Sequence, residues 1–159
     1  MEFSIQMQDA IKKLRRRVND FSSDSPIFSD VEMYEFISDA VDELEIEYLK
    51  KGRRVYNGDF VYIKDTSKTV KVTPAETNIY ALQAAIFLTL SIKSQADRDN
   101  FSLRKPNLSV DTSHQSKDHL DTLNLLKKEL HGALMRNLSS SSIGGFRVSG
   151  DERPPRVGG

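Results

Sequence analysis

The side chains that could perform catalysis are few in this chain of 159 residues. Its three histidines, His114, His119 and His131, stand at spacings that match no metal-binding signature. The absence of cysteine excludes a thiol nucleophile, a disulfide bond and a cysteine-bound zinc ion. No serine has the glycine-flanked pattern of a hydrolase nucleophile, and no phosphate-binding glycine loop is present. The inventory predicts that the protein is not an enzyme and that it binds neither a cofactor nor a metal.

The charged side chains are more informative, because they are balanced overall but separated along the chain. With 23 basic and 23 acidic residues, net charge gives no reason to expect nucleic acid as a partner. A basic cluster near the N-terminus comprises Lys12, Lys13, Arg15, Arg16 and Arg17. An acidic cluster follows it and comprises Glu35, Asp39, Asp42 and Glu43. Each cluster is typical of a solvated helix face. The basic cluster could also contact phosphates. The carboxylates of the acidic cluster lack the partner motif that catalysis requires.

Two oppositely charged faces on one subunit suggest a contact between copies of the chain. The acidic cluster of one copy would meet the basic cluster of its neighbour, and repetition of that heterologous contact closes a ring. The two clusters could equally pair within one chain. A sequence-specific DNA reader is disfavoured, because the helix after the basic cluster is acidic and would repel the DNA backbone. A regulatory protein that binds nucleic acid through the basic cluster remains the alternative function.

The helix that must support these faces is predicted to begin at Thr73. Thr73 can cap the first free amides, Pro74 suits the first helical position, and Glu76 can bond back to the Thr73 amide. No charged residue occurs from Thr77 to Ile92, and we expect the helix to run to about Lys93. This stretch is slightly shorter than a membrane span and carries several polar residues, so a buried helix and no membrane partner are expected.

A helix that is apolar on all sides must be covered on all sides. In a domain of four helices and one hairpin, little material is left to cover Tyr80, Ala84, Phe87 and Leu88. We therefore expect Phe87 and Leu88 to form one wall of an interface between subunits of a ring.

The other helices are predicted from apolar residues that recur at steps of three and four. A first helix is expected over Ser4–Val18, and a second over Asp30–Lys50, which Gly52 ends. A last helix is expected over about Ser116–Arg136. The segment before it, Asp97–Ser113, is polar and contains a proline, and is therefore expected to be irregular.

Between the second and third helices the spacing of apolar residues becomes alternating, which predicts strands. Asn57-Gly58 is a strong hairpin signal, because both turn positions require a positive φ. Three strands are expected, at Arg53–Tyr56, Asp59–Lys64 and Thr69–Val72, with a second turn at Asp65–Lys68. They would form a small antiparallel meander.

The C-terminal residues 137–159 contain four consecutive serines, two glycine pairs and two adjacent prolines. Their low apolar content cannot support a core, which predicts a flexible tail. The chain length otherwise suits one domain. The expected fold class is mainly α: a four-helix domain over residues 1–136 with a β insertion at about 53–72, followed by an extended tail. No secretory signal is recognisable at the N-terminus, so synthesis in the cytoplasm is expected.

The order of these parts resembles the head-tail connector, or adaptor, proteins of tailed bacteriophages. The likeness lies in RRRVND at residues 15–20, in IFSDVE at 27–32 and in ISDAVDEL at 37–44. It continues through the short β insertion to TPAE at 73–76 and LSVDTS at 108–113. It covers about residues 1–136 and contains no catalytic signature.

The resemblance implies a structural protein in the neck of the virion. Twelve subunits would form a ring beneath the portal protein, connect it to a stopper or tail protein, and surround the channel through which DNA is ejected. The tail would dock on the portal through Ile143, Phe146, Arg147, Val148, Arg153 and Arg156. The basic cluster would contact viral DNA without sequence preference if it lined the channel, although the acidic cluster could line the channel instead.

Overall fold

The computed structural model describes residues 2–20, 26–102 and 113–143, with side chains described up to residue 95 and from 118 to 140 in the last two helices. Four helices are present in these residues: α1 (Ile5–Arg17), α2 (Asp30–Leu44), α3 (Pro74–Ser102) and α4 (Ser113–Ile143). Three antiparallel strands, β1 (Arg53–Tyr56), β2 (Asp59–Tyr62) and β3 (Asp65–Thr69), lie between α2 and α3. The predicted mainly α fold with an inserted β meander is confirmed.

The predicted starts of α2 and α3 are also confirmed. Ser29 and Glu32 form a reciprocal capping box at the start of α2. Thr73 and Glu76 do the same at the start of α3: the Thr73 amide donates to Oε2 of Glu76 at 3.0 Å, and the Glu76 amide donates to Oγ1 of Thr73 at 3.2 Å. Each box satisfies amides that the first helical turn leaves free.

The end of α2 differs from a simple helix end. A π-helical turn, Glu45–Leu49, follows the α-helical part and takes up most of the expected extension to Lys50. Lys50 then adopts a left-handed conformation with φ 51°, as does Gly52 with φ 67°. The side chain of Glu45, the first residue of this turn, is almost completely buried.

The first hairpin forms as predicted, whereas the third strand does not. β1 pairs with β2 so that Tyr56 lies opposite Asp59, and Asn57 and Gly58 have positive φ values of 48° and 81°. β3 occupies the residues expected as a turn, and it ends before Val70 and Val72. Both valines are nevertheless buried.

A side chain of α1 explains this shift of the strand. Nε2 of Gln6 donates to the carbonyl oxygen of Val70 at 3.0 Å, and Oε1 of Gln6 accepts from the Val72 amide at 2.7 Å. The Val70 amide still donates to the Phe60 carbonyl oxygen of β2 at 2.8 Å, but the Val70 carbonyl and the Val72 amide bond to α1.

The last two helices are longer than predicted. α3 continues to Ser102, so the expected irregular segment is helical at residues 97–102, and its residues 103–112 lie outside the described residues. α4 continues to Ile143 through the four serines assigned to the tail. Oγ of Ser139 donates to the carbonyl oxygen of Met135 at 2.7 Å, which allows a serine to remain within a helix.

The core surrounds α3, which packs against α1, α2 and α4. Tyr80 stacks on Phe60 of β2 with ring centroids 5.7 Å apart, which ties the sheet to the core. Tyr80, Ala84 and Leu88 are completely buried by the chain itself, and only Phe87 is partly exposed. The expectation that Leu88 is left for a neighbour is therefore wrong, because the other helices cover it. Among the described residues, no helix is both long and apolar enough to cross a membrane.

Candidate functional site

Three side chains of the basic cluster are held by contacts within the chain. Arg15 forms ion pairs with the buried Asp20 and with Asp30, the latter at 2.7 Å, and donates to the Phe28 carbonyl oxygen at 2.8 Å. These contacts close the connection between α1 and α2. Arg15 thus acts as a structural cation.

Arg17 and Lys13 are occupied in a similar way. Arg17 forms an ion pair with Glu129 of α4 and donates to Oδ1 of Asn78 at 3.0 Å. Nζ of Lys13 lies 2.8 Å from Oδ2 of Asp9. Lys12 and Arg16 are the remaining cations of the cluster; both are exposed, and neither forms an ion pair within the described part of the chain.

The acidic cluster is free of such pairs. Glu35, Asp39 and Asp42 are exposed on α2, Glu43 is half-buried, and none of the four meets a cation at ion-pair distance among the described side chains. The basic cluster pairs instead with Asp9, Asp20, Asp30 and Glu129. The possibility that the two clusters neutralise each other within one chain is thus not realised.

Sequence reasoning missed a buried polar cluster where α2, β1 and α3 meet. Oε1 of Glu45 accepts from the Tyr80 hydroxyl at 2.9 Å, and Oε2 of Glu45 accepts from the Lys51 amide at 2.8 Å. Glu76, also buried, forms ion pairs with Lys51 and with Arg53, whose Nη1 lies 2.9 Å from Oε2 of Glu76. The capping box pointed to Glu76, but no sequence signal distinguished Glu45 from the solvated carboxylates of α2.

The electrostatics of this cluster fix the protonation states of Glu76 and Tyr80. Burial by itself would raise the pKa of Glu76, but hydrogen bonds from Lys51 and the Thr73 amide, together with the Arg53 guanidinium, lower it to about 2. Burial, and then the Glu45 carboxylate, raise the pKa of the Tyr80 hydroxyl. Glu76 is therefore ionised and Tyr80 is protonated at neutral pH. The cluster joins three elements of the fold, and neither group is available for proton transfer.

An apolar groove of about 370 Å³ lies between the end of α2, α3 and α4. Its apolar lining includes Tyr48, Phe87, Leu90, Leu134, Met135 and Leu138. Four of these, Tyr48, Leu90, Met135 and Leu138, are at least two-fifths exposed. Glu43, Glu47, Lys127 and His131 form its polar rim. Phe87 thus lies at a surface that a partner can reach.

No protein-family model, curated protein or solved structure matches this chain.

The residues expected to dock on the portal lie at or beyond the end of α4. Ile143 is the last residue of that helix. Phe146, Arg147, Val148, Arg153 and Arg156 lie outside the described residues. Within the described part of the chain, no group of three histidine or carboxylate side chains is placed to hold a metal ion.

Proposed function

We propose that this protein is a structural adaptor of a tailed-phage virion. Twelve copies form a ring beneath the portal, surround the DNA channel and connect the head to a stopper or tail protein. One observation carries the proposal: among the described side chains the acidic cluster has no cation partner, while Lys12 and Arg16 remain exposed on another helix. A subunit with two such faces is complementary to copies of itself.

The basic and acidic faces lie on different helices, so the basic face of one copy can meet the acidic face of the next. Such head-to-tail contacts can repeat around an axis and close a ring. Each contact between exposed charges is weak and is screened by salt. Many weak contacts in a closed ring, all held by one portal, add up to a stable assembly. The test is electron microscopy of the protein mixed with its portal, in which we expect a ring of twelve subunits on the portal. A portal left bare at low salt and high protein concentration would contradict the proposal.

The alternative, a regulator that binds nucleic acid, is weakened by the contacts of the basic cluster. Lys13, Arg15 and Arg17 are occupied within the chain, so only Lys12 and Arg16 remain for phosphates. Two phosphate contacts give weak, salt-dependent binding. A discrete complex in a gel shift at physiological salt would favour the regulator, because the adaptor should form none.

The apolar groove provides a test of the ring interface. We expect Phe87→Glu to weaken assembly on the portal by roughly tenfold or more, because a buried aromatic anchor would be replaced by an unpaired charge. Far-ultraviolet circular dichroism should remain unchanged, since Phe87 is not fully buried. The matched control is Leu125→Glu, at an apolar position of α4 that is 58% exposed and lies outside the groove. Equal assembly of both variants would exclude the groove from the interface.

The docking of the C-terminal segment on the portal follows from the resemblance to the adaptor proteins, and the apolar and basic side chains of this segment suit such a contact. We expect deletion of residues 144–159 to abolish portal binding while α4 remains intact. Pull-down on immobilised portal measures this loss. Substitution of Arg153 and Arg156 by glutamine removes two positive charges and keeps the apolar side chains. The portal binding that remains therefore measures the apolar part of the contact. Undiminished binding of the truncated protein would remove the docking role from this segment.

A further inference from the structure

The exposed face of α1 is a single stripe with an apolar end and a basic end. Ile5, Lys12 and Arg16 are exposed, and their spacing of seven and four residues places them on one side of the helix. The Ile5 side chain is 86% exposed although it begins an amphipathic helix. Nothing in the described part of the chain covers this isoleucine.

The exposed face of α2 is a matching stripe of opposite charge. Glu35, Asp39 and Asp42 lie on one side of the helix, and Ile46 follows four residues later in the π-helical turn. Ile46 is 75% exposed. The stripe therefore has an acidic end and an apolar end.

The two stripes have the same length and the same spacing when they are read in opposite directions. Ile5 and Arg16 are eleven residues apart, as are Ile46 and Glu35, and a helix spans eleven residues in about 16 Å. Lys12 lies seven residues from Ile5, and Asp39 lies seven residues from Ile46. An antiparallel pairing of the stripes brings each cation opposite an anion and each isoleucine opposite the other.

We propose that α1 of one copy packs antiparallel on α2 of the next copy, with Ile5 against Ile46, Lys12 against Asp39 and Arg16 against Glu35. This pairing gives the proposed ring its repeating contact, and to that extent it rests on the proposed function. Asp9, which would face Asp42, carries its own cation, since Lys13 lies 2.8 Å away. The one like-charge position of the register is therefore neutralised from within the same subunit.

The size of this contact predicts how the protein assembles. Two helix faces about 16 Å long bury much less than the roughly 1,600 Å² typical of a stable interface. We therefore expect free subunits at low concentration and a continuous ring only where the portal concentrates them. The isoleucine pair supplies the apolar contact at one end, and the two ion pairs fix direction and register.

The absence of cysteine from the chain allows a direct test of the register. The variant Ile5→Cys with Ile46→Cys, oxidised at high protein concentration and low salt, should give a ladder of disulfide-linked multimers on non-reducing gels. The control, Ile5→Cys with Val31→Cys, places the second cysteine at the exposed opposite end of α2 and should remain mostly monomeric. Equal ladders from both variants, or no ladder from the first, would overturn the antiparallel register.

Charge reversal provides a second readout that does not depend on oxidation. Lys12→Glu should weaken assembly on the portal by about tenfold, and addition of Asp39→Lys should restore it, whereas addition of Glu35→Lys should not. If Glu35→Lys restored the assembly of Lys12→Glu and Asp39→Lys did not, the register would be overturned. A cross-linked product that stops at two chains would overturn the head-to-tail contact, since a closed pair uses both faces at once. A ring on the portal without the expected cross-link would overturn the register and leave the adaptor function standing.

Discussion

Glu76→Gln is expected to lower the free energy of unfolding by about 3 to 5 kcal/mol, because it leaves a buried guanidinium without its anion. The Glu76 side chain is 1% exposed, and that of Arg53, its partner at 2.9 Å, is 12% exposed. Glutamine retains the shape and can still accept from the Thr73 amide, so the loss comes from the charge. Urea denaturation at neutral pH measures the loss, and the melting temperature should fall by roughly 10 °C.

The same carboxylate predicts how stability depends on pH. Its folded pKa of about 2 is lower than its ordinary value of 4.5, so the folded state binds the Glu76 proton less tightly than the unfolded state does. Its contribution is therefore complete above pH 4.5 and disappears as the pH falls towards 2. The shift corresponds to about 3 kcal/mol. Glu76→Gln should lose less stability than the wild type over this range, and parallel curves would contradict the assignment.

Glu32→Gln is the matched control for this prediction. Glu32 occupies the same position in the capping box of α2 that Glu76 occupies in α3, and hydrogen bonds from Ser29 also lower its pKa. However, Glu32 is exposed and forms no ion pair among the described side chains. We expect only a small loss of stability. A loss equal to that of Glu76→Gln would assign the effect to capping and not to the buried ion pairs.

The features that the sequence predicts correctly are local ones. The capping boxes at Ser29 and Thr73 and the hairpin at Asn57-Gly58 each depend on residues within three or four positions of one another. Such short-range signals specify where an element begins or turns, because the groups that satisfy each other are already neighbours in the chain.

The features that the sequence does not reveal depend on distant partners. Arg17 contacts Glu129, 112 residues away, so nothing near Arg17 distinguishes it from the exposed Arg16. Gln6 bonds to Val70 and Val72, more than 60 residues away, where the sequence pattern predicted a strand. The identity of the free cations in the basic cluster therefore emerged only from the tertiary structure.

The burial of Glu45 could not be predicted for a related reason. The periodicity of α2 places it among solvated carboxylates, but its side chain accepts from the Tyr80 hydroxyl, 35 residues away, and from the Lys51 amide. Ile46, the next residue, is 75% exposed at the end of the acidic stripe, so the first two residues of the π-helical turn contribute one to the buried polar cluster and one to the apolar end of the proposed contact.

The first hairpin lies close against the backbone of the N-terminal segment. Gly58 has a φ of 81°, and a Cβ atom placed on it would lie 2.5 Å from the carbonyl oxygen of Glu2. The N-terminal segment is held there by Ser4, whose amide donates to the Gly58 carbonyl oxygen at 3.0 Å and whose hydroxyl donates to Oδ1 of Asp59 at 2.6 Å. Glycine at position 58 thus allows the segment before α1 to pack on the sheet.

Gly58→Ala is therefore expected to destabilise the fold by about 2 to 4 kcal/mol, through the positive φ and the collision with Glu2 together. Gly52→Ala is the control, because Gly52 has a similar φ of 67° but nothing lies within 4 Å of its Cβ position. That variant should lose only about 1 to 2 kcal/mol, the conformational cost of the left-handed region. The difference between the two variants in urea denaturation isolates the contact between the hairpin and the N-terminal segment. Hydrogen exchange at the Ser4 amide should rise in Gly58→Ala alone, because displacement of Glu2 breaks the hydrogen bond of that amide. Equal losses of stability and equal exchange in both variants would show that the segment before α1 does not depend on this close approach.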